Sequence, residues 1–282
     1  GHTIQKTLSI LKKPIKEHII DWSFLQTIDA HLRNLTLNVA RRQLSELHPS
    51  DLAEILTEID PEESTLLLSS VDEELAGEAL HEVSTEVREK ILKEMDNEMI
   101  SDILEEMPPD EAADILGEMP EEKSQELLSL MEHEDATEVK DLLSYEEDTA
   151  GGLMTSEFLD MPPDMTIEET LSSIRLLVPD VEFIYYIYVV DKEEHLLGVL
   201  TLKKLLTTPL DVKLGDVMVQ NVKHVYLDTE RKEIAEIISK YDFVAIPVLD
   251  QEKRIKGIIT VDDVIDLLVP NPTRRKKRRA FQ

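Results

Sequence analysis

Apolar residues in the first half of the chain come in pairs at a fixed spacing. Positions 56, 68, 80, 92, 104, 116 and 128 are all Leu, and the residues before them are Ile, Leu, Ala, Ile, Ile, Ile and Leu. Three residues after each Leu stands Ile59, Val71, Val83, Met95, Met107, Met119 or Met131. Three further on is always an acid: Glu62, Glu74, Glu86, Glu98, Asp110, Glu122 or Glu134. Apolar positions at i, i+1 and i+4 in a period of twelve predict one short helix of about eight residues plus a turn. The turns carry suitable punctuation, as at Asp60-Pro61 and Pro108-Pro109. Two such helices make a hairpin, and stacked hairpins make a superhelix. An acid early in each helix complements the positive end of its dipole, which explains most of the periodic carboxylates. It does not explain residues 103–120, ILEEMPPDEAADILGEMP. There Asp110, Glu111, Asp114 and Glu118 crowd together with no Lys or Arg four residues away. Like charges at that spacing oppose a helix by about 0.2–0.5 kcal/mol per pair.

The pattern changes at residues 146–158, EEDTAGGLMTSEF, after which β-branched and aromatic residues become common. Residues 184–205, IYYIYVVDKEEHLLGVLTLKKL, match residues 243–264, FVAIPVLDQEKRIKGIITVDDV. Asp191 aligns with Asp250, Gly198 with Gly257 and Thr201 with Thr260. Each copy reads as strand, polar turn, second strand through the Gly, then a helix opening at Thr. Amphipathic helices are expected before them, from Ile167 to Leu177 and from Arg231 to Lys240.

The chain has 282 residues, enough for two or three domains, and 41% hydrophobic residues support globular cores despite a formal net charge of −30. There is no cysteine, so disulfides, zinc–thiolate sites and thiol chemistry are excluded. The longest apolar run, FIYYIYVV at 183–190, is far short of the ~20 residues of a membrane-spanning helix, and no signal peptide is recognisable. The chain as given is expected to be soluble. Charge is unevenly placed: residues 91–150 hold 21 acids and 3 bases, while 274–279 read RRKKRR. So acidic a body excludes a nucleic-acid binder, because phosphate affinity comes from Lys and Arg. The basic run reads as a disordered tail, or as a segment facing anionic lipid. The opening Gly1-His2 reads as a tag remnant.

The second-half repeat resembles the CBS domain, whose second strand runs into a Gly-x-x-Thr-x-x-Asp pattern. Here that pattern is Gly257, Thr260 and Asp263, while the first copy carries Lys204 in place of the Asp. A short-helix superhelix joined through EEDTAGGLMT to two CBS domains is similar to the cytosolic region of the MgtE family of magnesium channels and transporters. TIEETLSSIR, IYYIYVVD, the Tyr241–Phe243 triplet and GIITVDDVIDLL carry the likeness, which covers nearly all of residues 40–269. The fold class implied is α+β multidomain, an all-α superhelix followed by a tandem CBS pair. Its expected domains are a helical domain at 1–148, CBS domains at 149–208 and 209–269, and a tail at 270–282.

The resemblance implies a homodimer through the CBS domains, a membrane pore domain outside this chain, and a place at the cytoplasmic face of the membrane. It also implies that magnesium bridges the acidic helices and the CBS pair. Carried over residue by residue, Asp110 and Asp114 form one side, Gly151 the junction, and Asp242, Asp263 and Asp266 the other. Adenosine nucleotides such as ATP would meet Tyr186, Phe243 and Asp263, with Lys204 counting against the equivalent site in the first copy. Independently, sparse carboxylates suit magnesium, which takes hard oxygen ligands and retains waters, and the lack of Cys disfavours soft metals. For Thr260 and Asp263 the simpler reading is a helix cap. The expected function is a magnesium sensor, compact when loaded and splayed when empty, that gates a pore. Two other readings stay open, a nucleotide-sensing CBS module and a passive protein-interaction scaffold. No P-loop, nucleophile elbow or HExxH is present, so an enzyme is not expected.

Overall fold

In the computed structural model the described residues are 44, 47–177 and 184–268, with the side chains of 177 and 265–268 left aside. The basic run at 274–279 and the first 40 residues lie outside them. The chain divides into two compact units, one running to Glu106 and one from Met107 to Pro272.

The described residues of the first unit hold five short helices: α1 (Pro49–Glu58), α2 (Pro61–Leu68), α3 (Glu73–Glu82), α4 (Thr85–Glu94) and α5 (Asn97–Glu105). Each helix packs on the next but one, α1 on α3, α2 on α4 and α3 on α5. The twelve-residue pattern sets this, because Leu56, Leu68, Leu80, Ile91, Ile103 and Leu104 all point into the core. The helix starts are capped locally: Asp72 and Asp96 accept from the N–H groups of Leu75 and Met99 at 3.0 and 2.9 Å. One base is enclosed as well. Arg88, only 6% exposed, donates to the carbonyls of His81 and Val83, both at 3.2 Å, and so ties the α3–α4 turn.

The second unit opens with three more helices of the same kind, α6 (Pro109–Gly117), α7 (Glu121–Leu128) and α8 (His133–Leu143), with α6 packed on α7 and α8. A one-turn helix α9 (Ala150–Leu153) leads into two three-stranded sheets. The first has β1 (Asp160–Met161), β2 (Tyr186–Val190) and β3 (Leu196–Thr201); the second has β4 (Val225–Tyr226), β5 (Ala245–Leu249) and β6 (Ile255–Thr260). Both combine one parallel and one antiparallel pair, and the registers repeat: Val189 faces Gly198 as Val248 faces Gly257. Helices α10 (Ile167–Leu177) and α13 (Arg231–Tyr241) precede the paired strands, while α11 (Leu202–Thr207) and α14 (Val261–Leu268) follow them; α12 (Leu214–Val217) leads into the second copy.

The two copies clasp each other reciprocally. Thr155, before the first copy, exchanges backbone hydrogen bonds with Ile258 of β6 at 2.9 and 3.0 Å, and Val219, before the second, does so with Val199 of β3 at 3.0 and 2.9 Å. The aligned glycines make room for these crossings. A Cβ on Gly257 would lie 2.5 Å from the Thr155 carbonyl oxygen, and one on Gly198 would lie 2.6 Å from the Met218 sulfur. Met218 can swing aside, whereas the Thr155 carbonyl is fixed by its ladder. Gly257→Ala is therefore expected to lower Tm more than Gly198→Ala, by about 5 °C or more for a loss of ~2 kcal/mol. Thermal melts of the two variants test this.

Candidate metal centre

Six of the seven periodic acids, at 62, 74, 86, 98, 122 and 134, are exposed; Asp110 is not. The N-cap of α6 is Pro108, which has no side-chain oxygen, and Pro109 is the first helical residue, so Asp110 does not cap the helix but lies within its first turn. Its Oδ1 is sealed from solvent without a hydrogen-bond partner. It lines a cavity of about 50 Å3 with Glu111, Thr155, Glu157, Asp262 and Asp263, closed by Pro108 and Thr260. Five of those eight residues are acids and none is a base.

The charges in this cavity act on one another. Burial pushes the Asp110 carboxyl well above the usual carboxylate range, and the neighbouring Asp263 and Glu111 push it further, against hydrogen bonds from Thr155 and its own backbone. Asp263 is raised from 3.8 to about 6, again chiefly by burial, with Asp262 and Glu111 adding to it. One Asp263 oxygen serves α14, accepting from the Thr260 hydroxyl at 2.6 Å and, at 3.4 Å, from its N–H. The helix-cap reading is thus realised in the second copy, and Asp263 still faces the cavity. In the first copy the Thr201 hydroxyl instead accepts from the Lys204 N–H at 3.1 Å, and Lys204 is exposed.

Asp114, one turn after Asp110, lines a wider adjoining cleft of about 400 Å3 with Asp110, Glu147, Tyr145, Gly151 and Lys140. Gly151 lies where no side chain fits, since its Cβ would stand 2.7 Å from the Tyr145 ring. The junction is tied to the second copy: the N–H groups of Ala150 and Gly151 donate to the carbonyls of Thr229 and Leu227 at 2.8 and 2.9 Å, and Asp148 pairs with Arg231.

The fold therefore gathers Asp110 and Asp263 in one cavity and Asp110, Asp114 and Gly151 in the next. Asp242 lines neither; it is the exposed, left-handed C-cap of α13, with φ 51°. Asp266 belongs to α14, but its side chain lies outside the described residues. Tyr186 lines a narrow slot with Phe158, Tyr188 and Ala245, where the Tyr188 hydroxyl is sealed without a partner. Phe243 stacks on Tyr241 with ring centroids 5.4 Å apart and lines neither that slot nor the Asp263 cavity. Sequence reading did not single out Glu111, Thr155, Glu157 or Asp262 as site residues. Only Glu111 carried a signal, as an off-period acid in the crowded stretch.

Among the described residues, Asp191, Glu193 and His195 form the one group of three metal-type side chains whose ligand atoms lie within 4.8 Å of one another. They make up the β2–β3 turn, in which Asp191 Oδ1 accepts from the N–H groups of Glu193 and His195 at 3.0 and 2.9 Å. That arrangement is turn chemistry.

The family models agree with this architecture. The MgtE intracellular N domain matches residues 47–148, and the CBS domain matches 150–211 and 214–270. A crystal structure of the cytosolic domain of the Mg2+ channel MgtE in complex with ATP is 39% identical, with a TM-score of 0.77, over 80% of this chain and 93% of that one. The chain belongs to the MgtE family. A second crystal structure, of the soluble part of a magnesium transporter, is 31% identical with a TM-score of 0.78, over 82% of this chain and 91% of that one. The magnesium transporter MgtE of Thermus thermophilus is 44% identical over 126 residues, 45% of this chain and 28% of that protein. The chain thus matches little more than a quarter of the full transporter's length. No helix among the described residues is long and apolar enough to cross a membrane.

Proposed function

We propose that this chain is a magnesium-sensing regulatory region of an MgtE transporter or channel, acting at the cytoplasmic face of the membrane on a pore outside this sequence. The carrying observation is Asp110: alone among the periodic acids it is not exposed, with a sealed, unpartnered oxygen in a cavity lined by five acids and no base. Hard carboxylate and hydroxyl oxygens fit magnesium, which needs few protein ligands. Asp110 and Asp263 would hold one ion, and Asp114 with Gly151 would line the site of another. Asp242 and Asp266 stay candidates for further ions on the CBS side. Bound magnesium supplies positive charge that offsets mutual repulsion of the carboxylates. Without it, repulsion between like charges drives α6 away from α14. Two unit charges at 4 Å repel by about 4 kcal/mol at an effective dielectric of 20. Switching a population from 1:99 to 99:1 requires about 5.5 kcal/mol of differential binding, which a few weak ions supply together. Such a response is steep in free magnesium.

Homodimerisation fits the same reading. Leu176, Leu206, Leu210 and Val219 are more than half exposed, and all belong to the first CBS copy or its border with the second. An adenosine nucleotide is a second ligand of this reading, supported by the unpartnered Tyr188 hydroxyl beside Tyr186. Limited proteolysis and small-angle scattering test the proposal, in chelator, in excess magnesium, and with ATP added to each. Protection and compaction by magnesium alone are expected. Identical patterns in chelator and magnesium would rule out the sensor, and a change with ATP alone would favour the nucleotide module.

A further inference from the structure

Glu111 shares the Asp110–Asp263 cavity, and its charge acts on both partners. Its Oε2, like the Oδ1 of Asp110, is buried. Yet Asp110, Glu111 and Asp263 do not all three bring an oxygen within 4.8 Å of one another, as the residues of the β2–β3 turn do. Space remains between them, and its size is informative. Water centres have about 50 Å3 of room in the cavity. The waters of a magnesium ion, centred ~2.1 Å from it, fall within a sphere of roughly 40 Å3. The cavity has room for the ion together with its waters, whereas all three carboxylates could not meet one bare ion at once.

Resting on the magnesium reading above, we propose that this cavity takes magnesium as a hydrated ion, and that Glu111 is a binding residue of the site, accepting hydrogen bonds from the ion's waters opposite Asp110 and Asp263. The Thr155 and Thr260 hydroxyls complete a hard-oxygen lining, and no base is present to compete for the acids. Magnesium parts with its waters reluctantly, so recognition through them avoids that cost. A site of this kind releases its ion readily, which suits a sensor.

Hexamminecobalt(III) is the probe, because it presents the shape of a hydrated magnesium ion but cannot exchange its ammines for carboxylates. The full chain is titrated calorimetrically with magnesium alone, with hexamminecobalt(III) alone, and with each in the presence of the other, at fixed ionic strength. D110N identifies the site by subtraction. The expected result is that hexamminecobalt(III) displaces the magnesium that D110N loses. E111Q weakens both ions at that site about tenfold or more, while D262N, which removes a charge from the same cavity, weakens them less than about threefold. E111Q also raises the Tm of the metal-free chain, since it relieves repulsion, so lost binding is not lost folding. Failure of hexamminecobalt(III) to displace that magnesium overturns hydrated binding. Equal losses in E111Q and D262N reduce Glu111 to a background charge and overturn its role. If the unaltered chain binds no magnesium at all, the sensor reading falls with the proposal.

Discussion

Asp110→Asn raises the Tm of the metal-free chain and removes most of its response to magnesium. The two effects have one cause. In the metal-free chain the Asp110 carboxylate is buried against Asp263 and Glu111, with one oxygen unpartnered. Leaving such a group unsatisfied costs about 1–3 kcal/mol. The amide is neutral, so its repulsion with Asp263 and Glu111 is relieved, and for a unit of this size Tm rises by about 3–8 °C. Magnesium at a hundredfold excess over its Kd stabilises the unaltered chain by about 2.7 kcal/mol per site. Asn offers that ion a weak carbonyl oxygen in place of a charge. The magnesium-induced rise in Tm therefore falls to roughly a third or less. Scanning fluorimetry in chelator and in magnesium measures both shifts. An unchanged magnesium response in D110N would remove Asp110 from the site. Truncation in α2, where Glu62 is an exposed periodic acid, gives the contrast: Glu62→Gln changes neither quantity measurably.

The second large effect is on pH. Asp263 titrates near 3.8 when unfolded and at about 6 when folded, so between those values the folded chain holds more protons. Stability then falls as pH rises through that window, by about 2–3 kcal/mol, and the loss is complete above it. Asp110, also raised by burial, Asp263 and Glu111, extends the decline to higher pH. The carboxyls of exposed Glu169 and half-buried Asp191 are lowered and work in the opposite sense, losing stability as pH falls. They are solvent-screened and do not offset the buried pair. In chelator, Tm at about pH 5 is thus expected to exceed Tm at about pH 7.5. Magnesium acts only on ionised carboxylates, so it restores stability at the higher pH and does little at the lower. A Tm that climbs from acid to neutral pH in chelator would mean that the cavity carries no net repulsion.

The helical half was legible because its information is local. A pair of apolar residues every twelve positions specifies a short helix and which face it buries, and Leu56, Leu80 and Leu104 lie where the period puts them. Internal repetition did the same for the second half. Gly198 and Gly257 mark the same register in β3 and β6, and the helices before the strands begin where the amphipathic pattern starts. The period alone was silent in one place, since it gives the first acid after Pro108-Pro109 the same standing as the other helix-start carboxylates. Its six periodic equivalents are exposed acids in the first turns of their helices.

What the residue pattern determined by itself was the two repeats, the order of helices and strands, the excess of acid in residues 103–120 and the family resemblance. What only the tertiary structure decided was which acids meet. The reciprocal clasp carries Thr155 across to β6, brings Asp263 to a cavity shared with Asp110 and Glu111, and leaves Asp242 outside on a helix end. No periodicity encodes such a meeting, because a carboxylate's neighbours in sequence set its helix, whereas burial and the approach of distant like charges set its ionisation and its capacity to hold a cation.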